Sequence, residues 1–262
     1  MESLYIIPDR NNLDRSIEIA KKYNACFEYN DFFEPSILDD KQEIDRIIKL
    51  YLGSKDKSNN KDTLHGAFMD ITVFSHDKKI REISIKRVMQ SMEIATQLNC
   101  KAVIFHTNYL PNFLISSYYD KWVVENTIFW SGIMKQFPSI DIYIENMFDF
   151  NPKMISMLAQ SMKDEKRFGV CLDCGHAFLS GTPISDWIDE LSPFIRHLHF
   201  SDNEKIDDFH LEIGTGLINW LDVSNKIKQK NINASVLIET QDVDMQISSI
   251  EYLKENKIYP FV

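Results

Sequence analysis

FGVCLDCGHAFLSG, residues 168–181, is the stretch on which the fold turns. Five apolar or small residues lead to a carboxylate, Asp173; a turn containing Gly175 follows, and His176 stands three positions further on. A short apolar run that ends in a turn and gives way to helical periodicity reads as a strand buried in a parallel sheet. Two chemistries compete for the turn. Cys171 and Cys174 have the spacing of a CxxC thiol pair, whereas Asp173 and His176 are placed so that a strand end and the following turn reach one metal ion.

Seven more runs of the same kind extend outward from this one. They are LYIIPD from Leu4, CFEYND from Cys26, TLHGAF from Thr63, AVIFHT from Ala102, DIYIEN from Asp141, HLHFSD from His197 and SVLIET from Ser235. Their starts lie 22 to 40 residues apart, the length of a strand, a turn, a helix and a return loop. Helical segments fill the gaps. In SIKRVMQSMEIATQLN, Val88, Met92, Ala95 and Leu98 share one face; PKMISMLAQSMKD and DWIDEL read the same way, and GSKDKSNNKD, residues 53–62, reads as a solvated loop.

Eight such units in 262 residues predict one α/β domain spanning residues 1–262. A closed (β/α)8 barrel and an open doubly wound sheet both fit the alternation. The open sheet of a dinucleotide-binding protein needs GxGxxG after its first strand, where this chain has PDRNN, and the GTG at 214–216 lacks a third glycine.

Composition narrows the class. Apolar residues make up 44% of the chain and aromatics 12%, with eight Gly and eight Pro, which excludes a disordered or fibrous protein. The N-terminal apolar run is too short for a signal peptide and no run is of membrane-spanning length, so the cytoplasm is the expected location and no membrane partner is expected. Four sparse cysteines are expected to be reduced thiols. A net charge of -10 argues against a broad surface for nucleic acid.

The polar residues at the strand ends carry the chemistry. From the third strand onward they are His65, His106, Glu145, Asp173, His199 and Glu239, with His176, Asp208 and His210 close behind. A single histidine at a strand end is most simply a hydrogen-bonded structural residue. Recurrence over six strands is different, because a closed parallel barrel brings all the C-terminal strand ends to one mouth. Converging carboxylates there would repel each other unless a cation joined them. Imidazole with carboxylate suits Zn, Mn, Co or Fe, and nine ligands exceed one ion, so one to three divalent ions are expected. His197 lies deeper and is expected to pack or to orient a ligand; His76 reads as loop surface. If Asp173 points inward, Cys171 lies a layer below it and Cys174 begins the turn, so both thiols pack.

The strand-end pattern together with CLDCGHAFLSG, HLHFSDN, DDFHLEIGTG and LIET resembles the xylose isomerase-like TIM-barrel superfamily over essentially the whole chain. That resemblance implies one of two activities. In the sugar isomerase and epimerase branch, the four metal ligands correspond to Glu145, Asp173, His199 and Glu239. In the endonuclease IV branch, all nine residues correspond to the ligands of three zinc ions. The chain departs from the nuclease pattern at Asp208-Phe209-His210, which lacks the usual central arginine, and at NMFDF after Glu145. It also departs at FHTNY, which lacks a glycine after His106. It departs from the epimerases at Lys205, where an arginine usually contacts substrate.

The resemblance therefore favours a divalent-metal-dependent isomerase or epimerase of a small sugar, sugar phosphate or cyclitol, acting through an enediolate. Glu145 and Glu239 would be its acid/base pair, and His176 and Lys205 its substrate contacts. The alternative is zinc-dependent phosphodiester hydrolysis at abasic DNA, with nucleic acid as partner; the loop cations available for phosphates are Arg10 and Arg15. A sugar-binding barrel without turnover would be missing a ligand or an acid/base residue, and none is missing. Members of the superfamily occur as monomers, dimers and tetramers, which leaves room for a homo-oligomer.

Overall fold

The structure is a computed structural model and describes residues 4–54, 61–112, 115–240 and 242–262. In chain order it contains β1 (Leu4–Ile6), α1 (Leu13–Tyr23), β2 (Ala25–Tyr29), α2 (Pro35–Leu38), α3 (Lys41–Ser54), β3 (Thr63–His65), α4 (Lys78–Leu98), β4 (Ala102–His106) and α5 (Ser116–Gln136). There follow β5 (Asp141–Glu145), α6 (Lys153–Ser161), β6 (Phe168–Asp173), α7 (Cys174–Leu179), α8 (Ile184–Leu191), β7 (Ile195–Phe200), α9 (Trp220–Gln229), β8 (Ser235–Ile238) and α10 (Val243–Glu255). Every strand pairs in parallel with its sequence neighbours, and β1 pairs with β8, closing the barrel.

All eight expected strands form. β7 begins two residues earlier than expected, at Ile195 rather than His197. The middle of the loop expected over 53–62, residues 55–60, lies outside the described residues. Long amphipathic helices cover the sheet: Val88, Met92, Ala95 and Leu98 of α4 are all buried. Asp77 caps that helix by accepting from the Lys79 and Ile80 amides, and Asn99 ends it in the left-handed region at φ 55. Among the described residues no helix is long and apolar enough to cross a membrane.

Strand parity divides the core in two. One face of each strand packs on the helices in a large continuous cluster. The other faces the barrel axis, where Ala102, Ile104, Tyr143 and Cys171 form one small cluster and Tyr5, Cys26 and Leu237 another. The same inward columns continue upward into His106, Glu145, Asp173 and Glu239. The interior is therefore apolar at its base and ionisable at the C-terminal mouth, with each strand contributing to both.

Candidate metal centre

All nine strand-end and near-strand-end residues expected from the sequence come together at the mouth, in three adjoining groups. His65, His106 and Glu145 form the first; Glu145, Asp173, His199 and Glu239 the second; His176, Asp208 and His210 the third. Glu145 belongs to two of them. Its Oε2 lies 3.2 Å from His106 Nε2 and 3.6 Å from His65 Nε2, while its Oε1 lies 3.3 Å from His199 Nδ1. Glu239 Oε2 completes the second group 3.0 Å from His199 Nδ1. In the third, the Nε2 atoms of His176 and His210 each stand 3.0 Å from Asp208 Oδ2.

Local structure places these side chains. Asp173 is both the last residue of β6 and the N-cap of α7, accepting the His176 amide on Oδ1. Its Oδ2 is buried without a hydrogen-bond partner. Asn146 clamps the Asp173 backbone from β5, accepting from its N–H at 2.9 Å and donating to its carbonyl at 3.0 Å. Gly175 was expected to permit a tight turn. It lies instead in the first turn of α7, and its use is spatial: a Cβ there would meet Ser201 Oγ at 2.8 Å and Asp173 Oδ1 at 3.3 Å.

Hydrogen bonding assigns three of the histidine tautomers. A carbonyl oxygen only accepts, so His65, His176 and His210 must donate from Nδ1 to the carbonyls of Gly66, Asn146 and Glu239, at 3.1, 2.8 and 3.2 Å. In the neutral ring this leaves each Nε2 as an acceptor, facing another acceptor: Asp208 Oδ2 for His176 and His210, and for His65 the Nε2 of His106 at 3.1 Å, whose own Nδ1 is turned to the Met147 thioether, which only accepts. Acceptors aimed at one another are unfavourable unless the rings are doubly protonated or a cation lies among them. Both oxygens of Glu145, Oε2 of Glu239 and both ring nitrogens of His199 are likewise buried without a hydrogen-bond partner. The donor set of imidazoles and carboxylates with these orphaned atoms fits a divalent ion of the zinc, manganese or cobalt type.

Charge balance in the protein alone leads the same way. Burial works against an ionised Glu145, yet the imidazoles of His199, His106 and His176 hold it well below the usual carboxylate range. Glu239, also opposed by burial, is held at about 2 by His199 and His210. Asp173 is pushed up to about 7 by burial, reinforced by Glu239 and Glu145. Like charges have been brought close enough to disturb one another.

Other residues lie outside the three groups. Lys205 is exposed, at φ 64, and its Nζ lies 5.1 Å from the Phe178 ring centroid, outside the three groups. His76 is exposed beside Lys121. Tyr109 is buried against Tyr119 and Trp122, while Phe148 and Phe150 stand out on the rim. Cys171 and Cys174 are buried and free, with burial pushing both thiols well up. Arg10 faces Asp31 at 3.4 Å and Glu43 at 3.6 Å, and Arg15 faces Glu18 at 3.0 Å, so the two loop cations considered for phosphates are paired.

Three residues were missed by sequence reasoning: Glu28, Asn146 and Asp202. Glu28 had a signal, since in CFEYND it shares inward parity with Cys26. Asn146 acts on the Asp173 backbone of another strand, and Asp202 on amides of the loop that follows it and on the Trp220 indole; neither had one.

A family model described as xylose isomerase-like TIM barrel matches residues 17–256. A Methanocaldococcus jannaschii protein, MJ1311, is 28% identical over 219 residues, 79% of this chain and 74% of that one. Among solved structures, a D-tagatose 3-epimerase-like protein superposes with a TM-score of 0.75 at 24% identity, covering 97% of this chain and 96% of that one. A D-psicose 3-epimerase from Clostridium cellulolyticum, solved with D-tagatose, gives 0.68 at 14% identity, covering 98% of each chain. These structural likenesses speak to the fold.

Proposed function

The chain belongs to the xylose isomerase-like TIM-barrel family, and from that premise we propose that it is a divalent-metal-dependent isomerase or epimerase of a small sugar, sugar phosphate or cyclitol. The observation that carries the reading is the convergence of Glu145 and Glu239 on His199 beside Asp173, with carboxylate oxygens left unpartnered. The epimerase names of the structural neighbours agree with it.

Glu145, Asp173, His199 and Glu239 would hold the ion. When bound, the ion supplies polarisation of a carbonyl and its adjacent hydroxyl, which acidifies the neighbouring C–H. Glu239 lines a cavity of about 230 Å3 with His210, Asn30, Asp31 and Thr240, so of the proposed acid/base pair it is the member that borders open space. It would take the C–H proton, giving an enediolate. Glu145, fully enclosed and facing the same His199 Nδ1 as Glu239, would complete the acid/base pair. His176 would contact substrate oxygens from the turn after β6. Lys205, away from the groups, would reach substrate only after leaving Phe178.

A second reading is supported by the first and third groups, which a one-ion epimerase does not need. Together with Glu145 they suit a multi-zinc phosphodiesterase acting at abasic DNA. The pairing of Arg10 and Arg15 with acids weighs against it.

The test is metal analysis followed by two assays on one sample: solvent-deuterium incorporation into a panel of ketoses and inososes, and nicking of an abasic duplex. The proposal expects exchange without nicking, and expects Glu239→Gln to lose about 100-fold or more of the exchange rate. Nicking without exchange replaces it with the second reading. Full exchange activity in Glu239→Gln removes the acid/base role.

A further inference from the structure

One layer beneath the mouth lies a buried charge that the proposed chemistry does not use. Glu28 of β2 is fully enclosed, and its carboxylate meets Thr63 Oγ1 at 2.6 Å, His197 Nε2 at 3.2 Å and His199 Nε2 at 3.1 Å. Neither ring aligns an N–H with it for a full hydrogen bond, but with Thr63 donating to one oxygen, a carboxylate enclosed at these distances from two ring nitrogens is matched by a proton on each Nε2.

The consequences run in both directions from Glu28. His197, with its proton on Nε2, has an acceptor at Nδ1, 2.6 Å from the Ser235 hydroxyl, whose one proton then goes to Nδ1 rather than to the Arg196 carbonyl at 3.4 Å. His199, with its proton also on Nε2, turns its Nδ1 lone pair toward Glu145 Oε1 and Glu239 Oε2. The assignment is consistent along the whole chain Ser235–His197–Glu28–His199. The three carbonyl-anchored histidines donate from Nδ1; His199 alone of these four turns Nε2 to a carboxylate, at 3.1 Å.

We propose that Glu28 is a positioning residue which, by taking the Nε2 proton of His199, fixes the tautomer whose Nδ1 ligates a divalent ion and makes that nitrogen a stronger donor. The proposal rests on the reading that Glu145, Asp173, His199 and Glu239 hold an ion. A carboxylate behind a ligating imidazole both orients the ring and raises its basicity, and loss of such a partner weakens metal binding by roughly 10–100-fold. Glu28, His197 and His199 are also close enough to be a metal group in their own right. An ion there would have to displace two ring protons and the Thr63 hydroxyl within a closed interior, which favours protonated ring nitrogens over a second ion at this level.

The test compares wild type, Glu28→Gln and Thr63→Val, the last keeping the charge and removing one donor. Zinc affinity is measured by chelator competition, zinc content at saturation by elemental analysis, and the His199 tautomer by 15N-histidine NMR of the zinc-loaded protein. The expected results are Nε2–H at His199 in wild type and a zinc dissociation constant weakened about 10–100-fold in Glu28→Gln, with zinc content unchanged. Thr63→Val should shift affinity the same way and less. Unchanged affinity in Glu28→Gln, Nδ1–H in wild type, or loss of one ion with the rest held normally would each overturn the proposal. If Glu28→Gln fails to fold, the wild-type spectrum and Thr63→Val decide. A wild-type protein that takes up no divalent ion overturns both this inference and the reading beneath it, whereas unchanged affinity in Glu28→Gln overturns this inference alone.

Discussion

The loop between β7 and α9 carries Asp208 and His210, and one side chain at its base holds it in place. Asp202 is fully buried. Its Oδ1 accepts from the Asn203 and Ile218 amides at 3.0 and 3.1 Å, and its Oδ2 from the Gly214 amide and Trp220 Nε1, both at 2.9 Å. Its backbone also pairs with Leu211 in both directions. Asp202→Asn keeps the shape but puts an NH2 where one oxygen stood. With Nδ2 in the Oδ2 position, two donors, Gly214 N–H and Trp220 Nε1–H, would face a donor. Hydrogen bonds to a charged group are worth roughly 1.5–3 kcal/mol each, so losing two costs about 3–6 kcal/mol. That is a large part of the ~5–15 kcal/mol that holds a typical domain folded. The assay is urea unfolding followed by circular dichroism, with Asp207→Asn, an exposed neighbour, as control and expected within ~0.5 kcal/mol of wild type. Metal content measured on the same samples should fall, because the loop supplies two ligands of the third group. A loss of stability below ~1 kcal/mol in Asp202→Asn would refute the reasoning that this carboxylate anchors the loop.

Metal uptake should depend on pH in a defined direction. Asp173 stands at about 7 and His210 at about 9, with His176 and His199 also pushed well up, so in the metal-free protein near neutrality these groups retain protons that an ion must displace. Raising the pH removes the competing protons, so zinc affinity by chelator competition should strengthen from pH 6 to pH 8.5, and a flat profile would contradict the ligand assignment. Gly175→Ala introduces a Cβ 2.8 Å from Ser201 Oγ and 3.3 Å from Asp173 Oδ1. It should lower zinc affinity while Gly132→Ala, where no atom lies within 4 Å of the added Cβ, leaves it unchanged; equal behaviour of the two variants would count against the packing argument.

The alternation of apolar strand with amphipathic helix was enough to determine the α/β class, because each inward column and each helix face is written locally, at periods of two and 3.6, while the missing GxGxxG and the polar strand ends pointed to the closed barrel. The ionisable strand ends were equally legible. Once the barrel is assumed, position at a C-terminal strand end implies the mouth, and His65 through Glu239 did come together there. Distances belong to tertiary structure alone. That Glu145 is shared between two groups, that Asp173 spends one oxygen capping α7, and that Lys205 rests on Phe178 depend on register and loop path, which sequence spacing does not encode. Glu28 shows the limit most clearly. Its parity was readable, but its meaning comes from Thr63 of β3 and from His197 and His199 of β7, which two other parts of the chain bring to it. A buried charge is interpretable only through its partners, and those partners are chosen by closure of the barrel.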